Sequence, residues 1–114
     1  MNQRLHFFEE AADEIERAGR WYRERNEIVE GAFLREVDRA VEAIMQAPER
    51  WPLHKAGTRR FVFPSFPYSL IYVVENDVIN VVAVPHDKQR PGYWQKRLPG
   101  LNGSVLFSAP PSRR

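Results

Sequence analysis

Apolar and small side chains recur at Phe8, Ala11, Ala12, Ile15, Ala18 and Tyr22, the single stripe that a helix turns toward a core. A break near "RERNE" precedes a second stripe, Val29, Phe33, Val37, Ala40, Val41 and Ile44, closed by Pro48, which cannot continue a helix. Two amphipathic helices joined this closely predict an antiparallel hairpin, and its shared apolar side needs a covering layer. That layer is expected from the second half of the chain. There "RRFVF", "YSLIYVVE" and "VINVVAV" are rich in Val, Ile, Phe and Tyr, the composition of strands.

The last two of these runs meet at Asn76-Asp77, residue types that tolerate the positive φ of a tight hairpin, so the strands form an antiparallel meander. Pro64 and Pro67 cannot donate to a ladder and mark the connection between the first two meander strands. "RLHFF", before the first helix, is expected to add an edge strand. The fold class is therefore α+β: an N-terminal strand and a helical hairpin packed on a small meander, followed by a short C-terminal segment. Alternation along the last strand puts Ile79, Val81 and Ala83 on one side, and Asn80, Val82, Val84 and His86 on the other. Asn80 marks the second side as the open one. With Val78, Val82 and Val84 it would form a partly apolar face, rimmed by His86, Lys88, Arg90 and Arg59 or Arg60. Phe61 and Phe63 look inward, which places Arg60 on the outer side.

Composition narrows the function classes. The chain has 114 residues and no cysteine, which fits one domain and excludes disulfides, thiolate ligands and a cysteine nucleophile. No run approaches the roughly 20 apolar residues of a membrane span, and the N-terminus lacks the apolar stretch of a signal peptide, so a soluble cytoplasmic protein without membrane contact is expected. His6, His54 and His86 are the only histidines and lie far apart, so no metal site is expected, and no cofactor motif is visible. Charge is unevenly spread. Residues 1–50 hold eight Lys/Arg against twelve Asp/Glu, whereas residues 51–114 hold nine against three. The basic half suits phosphate-rich or acidic partners.

The stretch "RRFVFPSFPYSLIYVVENDVINVVAVPHDKQRPGYWQKR" resembles the C-terminal half of the RelE/ParE toxin superfamily, especially its ParE-like, plasmid-stabilisation branch. The resemblance covers about residues 3–97, which would be one toxin domain, with 98–114 a flexible extension carrying the apolar patch "VLF". It rests on "FPY" leading into a strand with "IY", on the valine-rich final strand, and on His86 followed by Pro91, Tyr93 and Trp94. The resemblance implies the toxin of a type II toxin–antitoxin pair, held silent by a small, partly disordered antitoxin. ParE-like members inhibit DNA gyrase without a hydrolytic site; RelE-like members cut mRNA on the ribosome without a metal.

Metal-free RNA cleavage needs a base for the 2′-hydroxyl, a donor to the leaving oxygen and cations on the phosphate. Arg60, His86, Lys88, Arg90 and Tyr93 are the candidates. Against them stands Asp87, whose charge opposes a phosphate where RelE-type nucleases carry basic residues. The leading expectation is therefore a gyrase inhibitor, with an mRNA endonuclease or a non-toxic binding member as alternatives. In each case target or antitoxin contacts are expected from Arg59, Arg60, Asn80, Val82, Val84, His86, Lys88, Arg90, Tyr93, Trp94, Lys96 and Arg97. Structural roles compete for several of these. Tyr93 and Trp94 are suited to pin the C-terminal segment to the sheet, Arg59 and Arg60 to guard an edge strand. Trp21 and Trp51 read as core or helix-packing residues.

Overall fold

The computed structural model describes residues 4–99. Strand β1 (Arg4–Phe7) leads into helix α1 (Glu9–Arg23), and a three-residue turn joins it to α2 (Glu27–Gln46). Strands β2 (Arg59–Val62), β3 (Ser69–Glu75) and β4 (Val78–Ala83) follow, and a single 3-10 turn (Gln95–Arg97) closes the described chain.

Local chemistry sets these boundaries. Asn26 caps α2 by accepting from the Ile28 amide at 2.8 Å, and Glu9 and Glu10 sit at the positive end of the α1 dipole. Asn76 and Asp77 have φ of 52° and 64°, the paired left-handed conformations that close the β3–β4 hairpin. The four-stranded sheet runs in the order β1-β4-β3-β2. β2–β3 and β3–β4 are antiparallel, as expected of a meander. β1 joins the edge in parallel register, with Leu5 opposite Ile79, so the sheet is mixed.

The helical hairpin covers one face of the sheet. Phe33, Val37, Ala40 and Ile44 of α2 and Ala11 and Ala18 of α1 bury Leu70, Tyr72, Ile79 and Val81. Phe33 is the hub of this layer, with the rings of Tyr22, Phe66 and Tyr68 all centred 5.3–5.4 Å from it. Two buried carboxylates lie among these apolar groups. Glu36 accepts from the Ser65 and Phe66 amides at 2.7 and 3.2 Å and so fixes the proline-rich β2–β3 connection.

The other face departs from expectation. Ile71 pairs with Ala83 and Tyr72 with Val81, so Val82 is an extra residue, a β-bulge. Beyond the bulge the alternation reverses. Ala83 joins Val82 on the second face and Val84 turns to the helix side, the opposite of a regular alternation. The second face is not open either. Trp94 and Leu98 fold back over Ile71, Val82 and Ala83, leaving Trp94 only 2% exposed. A groove remains beside Asn80 and Val73. The extension expected from residue 98 falls, apart from Leu98 and Pro99, outside the described residues.

Candidate functional site

The site is organised around the segment that leaves β4. Pro91 and Gly92 (φ 76°) form a tight turn, with the Tyr93 amide donating to the Arg90 carbonyl at 3.3 Å, the arrangement in which Pro then Gly is favoured. This turn sends Trp94 back beneath the sheet. It also delivers Tyr93 and Arg97 to the carboxylate of Glu14, which α1 presents to the end of β4. Glu14 accepts from the Val84 amide at 2.8 Å, from the Tyr93 hydroxyl at 2.5 Å and from both Arg97 Nη atoms at 3.3 and 2.9 Å. Arg97 also donates to the Val82 carbonyl at 3.0 Å. One buried carboxylate thus ties helix, strand and C-terminal segment together.

Burial alone would raise the Glu14 carboxyl, but hydrogen bonds from Arg97, Tyr93 and the Val84 amide, with the charge of Arg97, outweigh it and hold the group below the ordinary carboxylate value. The Tyr93 hydroxyl is pushed well above its ordinary value, first by burial and then by the Glu14 carboxylate it donates to. It is a committed donor, poorly placed to shuttle a proton.

The remaining candidates divide by location. Arg59 donates to the Trp51 carbonyl at 2.7 Å and braces the connection after α2. Asn80 meets His6 at 3.2 Å on the uncovered part of the second face. Val82, Val84 and Trp94 are buried, and Lys88, Arg90 and Lys96 are exposed. Arg60 donates from Nε to Ser69 Oγ at 3.0 Å. His86 packs edge-on against Tyr68, with ring centroids 5.0 Å apart, and its Nδ1 accepts from the Lys88 amide at 3.0 Å. In the neutral ring the proton is therefore on Nε2. Trp21, read from sequence as a packing residue, is half exposed with the Arg25 guanidinium stacked 3.6 Å from its ring centroid. Trp51 does pack, against Phe61 at 4.7 Å.

Concavities open on both sides of His86. A groove of about 540 Å³ runs between α1 and the loops around Pro67 and His86, floored by Ala18, Tyr22 and Tyr68. A smaller cleft of about 130 Å³ collects Arg60, His86 and Arg90 with His54, Ser69 and Asp87. His54 is held below the ordinary imidazole value, by burial first and then by the charges of Arg60 and Lys55. Among the described residues, no three His, Asp or Glu side chains gather as a metal site would require, and no helix is long and apolar enough to cross a membrane.

A family model described as the ParE toxin of the type II toxin–antitoxin system parDE matches residues 5–91. The chain belongs to the ParE toxin family. Among solved structures, a chain of the chromosomal ParDE TA system from P. aeruginosa superposes with a TM-score of 0.66 at 15% identity, covering 74% of this chain and 95% of that one. This likeness concerns the fold. No curated protein matches the chain.

The ParE match ends at Pro91, so Tyr93 and Arg97 lie beyond it while their acceptor Glu14 lies within it. Reasoning from sequence missed Glu14, His54 and Ser69. Glu14 did carry a signal, a carboxylate on the apolar stripe between Ala11 and Ala18. His54 and Ser69 carried none, since their role depends on how the α2–β2 connection and β3 meet.

Proposed function

We propose that this ParE-family toxin arrests bacterial growth in the cytoplasm by binding DNA gyrase without a hydrolytic step, and that a small acidic antitoxin neutralises it. The observation that carries the non-hydrolytic reading is the lock on Tyr93. Its hydroxyl is spent on Glu14 at 2.5 Å, and general acid–base catalysis favours a group whose pKa lies near the working pH. Exposed Lys88, Arg90 and Lys96 then serve as contact residues, and the acidic partner is matched to the basic second half of the chain.

Cleavage of mRNA on the ribosome is the second reading. It is favoured by the convergence of Arg60, His86 and Arg90 on one cleft. Pulse labelling after tightly controlled induction separates the two. On the gyrase reading, thymidine incorporation falls within the first minutes and leucine incorporation follows; a first collapse in leucine incorporation rejects it. A chain that arrests neither would be a non-toxic binding member.

A further inference from the structure

We propose that residues 101–114 of this chain dock on its own sheet, with Val105, Leu106 and Phe107 filling the groove left open on the second face beside Leu98 and Pro99. The tail then completes the cover that Trp94 and Leu98 begin. The inference does not depend on whether gyrase or the ribosome is the target.

The cover on this face stops partway. Ile71, Val82 and Ala83 are buried with Trp94 and Leu98, and Phe8 and Val73 pack against that cluster without being buried by it. The groove continues from there, lined by Val73 and Glu75 of β3, Asn80 of β4, Phe8 at the start of α1, and Leu98 with Pro99. At about 260 Å³ it is smaller than the roughly 300–1,000 Å³ of pockets that take drug-sized ligands. Glu75 is the one charged residue in its lining, so it suits a few apolar side chains better than a polar ligand.

Three observations select the occupant. Pro99, the last described residue, is itself part of the lining, so the residues that follow it start at the site. "VLF" begins six residues later, a reach of roughly 20 Å of extended chain, and Gly100 and Gly103 give the backbone the φ freedom to reverse onto the face. Charge agrees with this placement. Glu75 forms no ion pair among the described residues, and the tail carries Arg113 and Arg114 with no acidic residue. A short tether also holds its segment at an effective concentration of about the millimolar range, so contacts too weak to hold a separate peptide suffice for this one.

The chain has no cysteine, so S112C accepts a single nitroxide label in the full-length protein, and NMR reads which backbone amides the label broadens. Phe8, Val73 and Asn80 should broaden, whereas Leu34 and Met45, exposed on the helical layer, should not. A tethered tail brushes its surroundings even without docking, so the same labelled chain carrying L106S/F107S is the decisive comparison. Both substitutions lie beyond the described fold, and unchanged signals from the helical layer check that it is intact. This variant should lose most of the broadening at Val73 and Asn80. Equal broadening in the two chains overturns the proposal, and so does the absence of broadening at Val73, which would leave the groove to a partner protein. Broadening that appears only on mixing an isotope-labelled chain without nitroxide with an unlabelled chain that carries it would assign the groove to the tail of a second copy, and would also overturn docking within one chain.

Discussion

Glu14 shows how a single residue can decide what its neighbours do. Tyr93 and Arg97 stand out in sequence as chemically capable groups, yet both are spent on a carboxylate 79 and 83 residues away. Separation of that order is invisible to local patterning. The polar interruption at Glu14 was legible, but its partner was not, because a glutamate on an apolar stripe can be satisfied from any neighbouring element. With side-chain exposures of 13% for Arg97 and 7% for Glu14, the pair is of the kind whose disruption by removing one partner costs about 3–5 kcal/mol. E14A should therefore lower stability to chemical denaturation by that order, whereas the double replacement E14L/R97M should recover much of the loss, as measured by urea unfolding. Equal losses in both variants would show that the charges themselves are indispensable.

The same residue fixes a pH response. The Glu14 pKa is lowered in the folded state, so its contribution is complete above the unfolded-state value of an ordinary glutamate and is lost as pH falls through the folded value. Acidification should loosen the C-terminal segment. In a W21F/W51F background, Trp94 emission should shift to the red as pH falls below the ordinary carboxylate range, and E14Q should abolish that transition. An unchanged transition in E14Q would assign it to other carboxylates.

At the scale of elements, periodicity recovered both helices, the meander and the tight Asn76-Asp77 turn, because each is dictated by near neighbours. It did not recover the bulge. Val81, Val82, Ala83 and Val84 are all apolar and all buried, so their composition gives no hint that the alternation slips between them. Nor could the strand pattern show that the face bearing Val82 is covered, since the cover is Trp94 and Leu98 beyond the Pro91-Gly92 turn. Local rules read a valine-rich face with one asparagine as open; the turn decides otherwise. Gly92 is critical to it, because its φ of 76° is a left-handed conformation that strains any residue bearing a Cβ. G92A should expose Trp94 to acrylamide quenching without altering helix content by circular dichroism. W94A, which empties a nearly fully buried site, should cost about 3–5 kcal/mol. Unchanged quenching in G92A would mean that Trp94 is held by its packing alone.

At the scale of the molecule, the uneven charge gives the two halves different work. The acidic first half builds the helical layer, and the basic second half supplies the exposed Lys88, Arg90 and Lys96 around the loop after β4. Electrostatic complementarity acts mainly on association rate and is screened by salt. Binding of the proposed antitoxin should therefore slow in association as salt rises from 50 to 500 mM, and the triple variant K88Q/R90Q/K96Q should flatten that dependence in stopped-flow measurements. A salt-independent rate would place the main contact in the apolar groove beside Trp21 and Tyr68.

Non-hydrolytic action of the proposed kind is decided by adding the purified chain to a DNA gyrase supercoiling assay and, in parallel, to ribosomes engaged on mRNA. A gyrase-binding toxin abolishes supercoiling activity and leaves the mRNA intact. Unimpaired gyrase together with mRNA cleaved on the ribosome would contradict it.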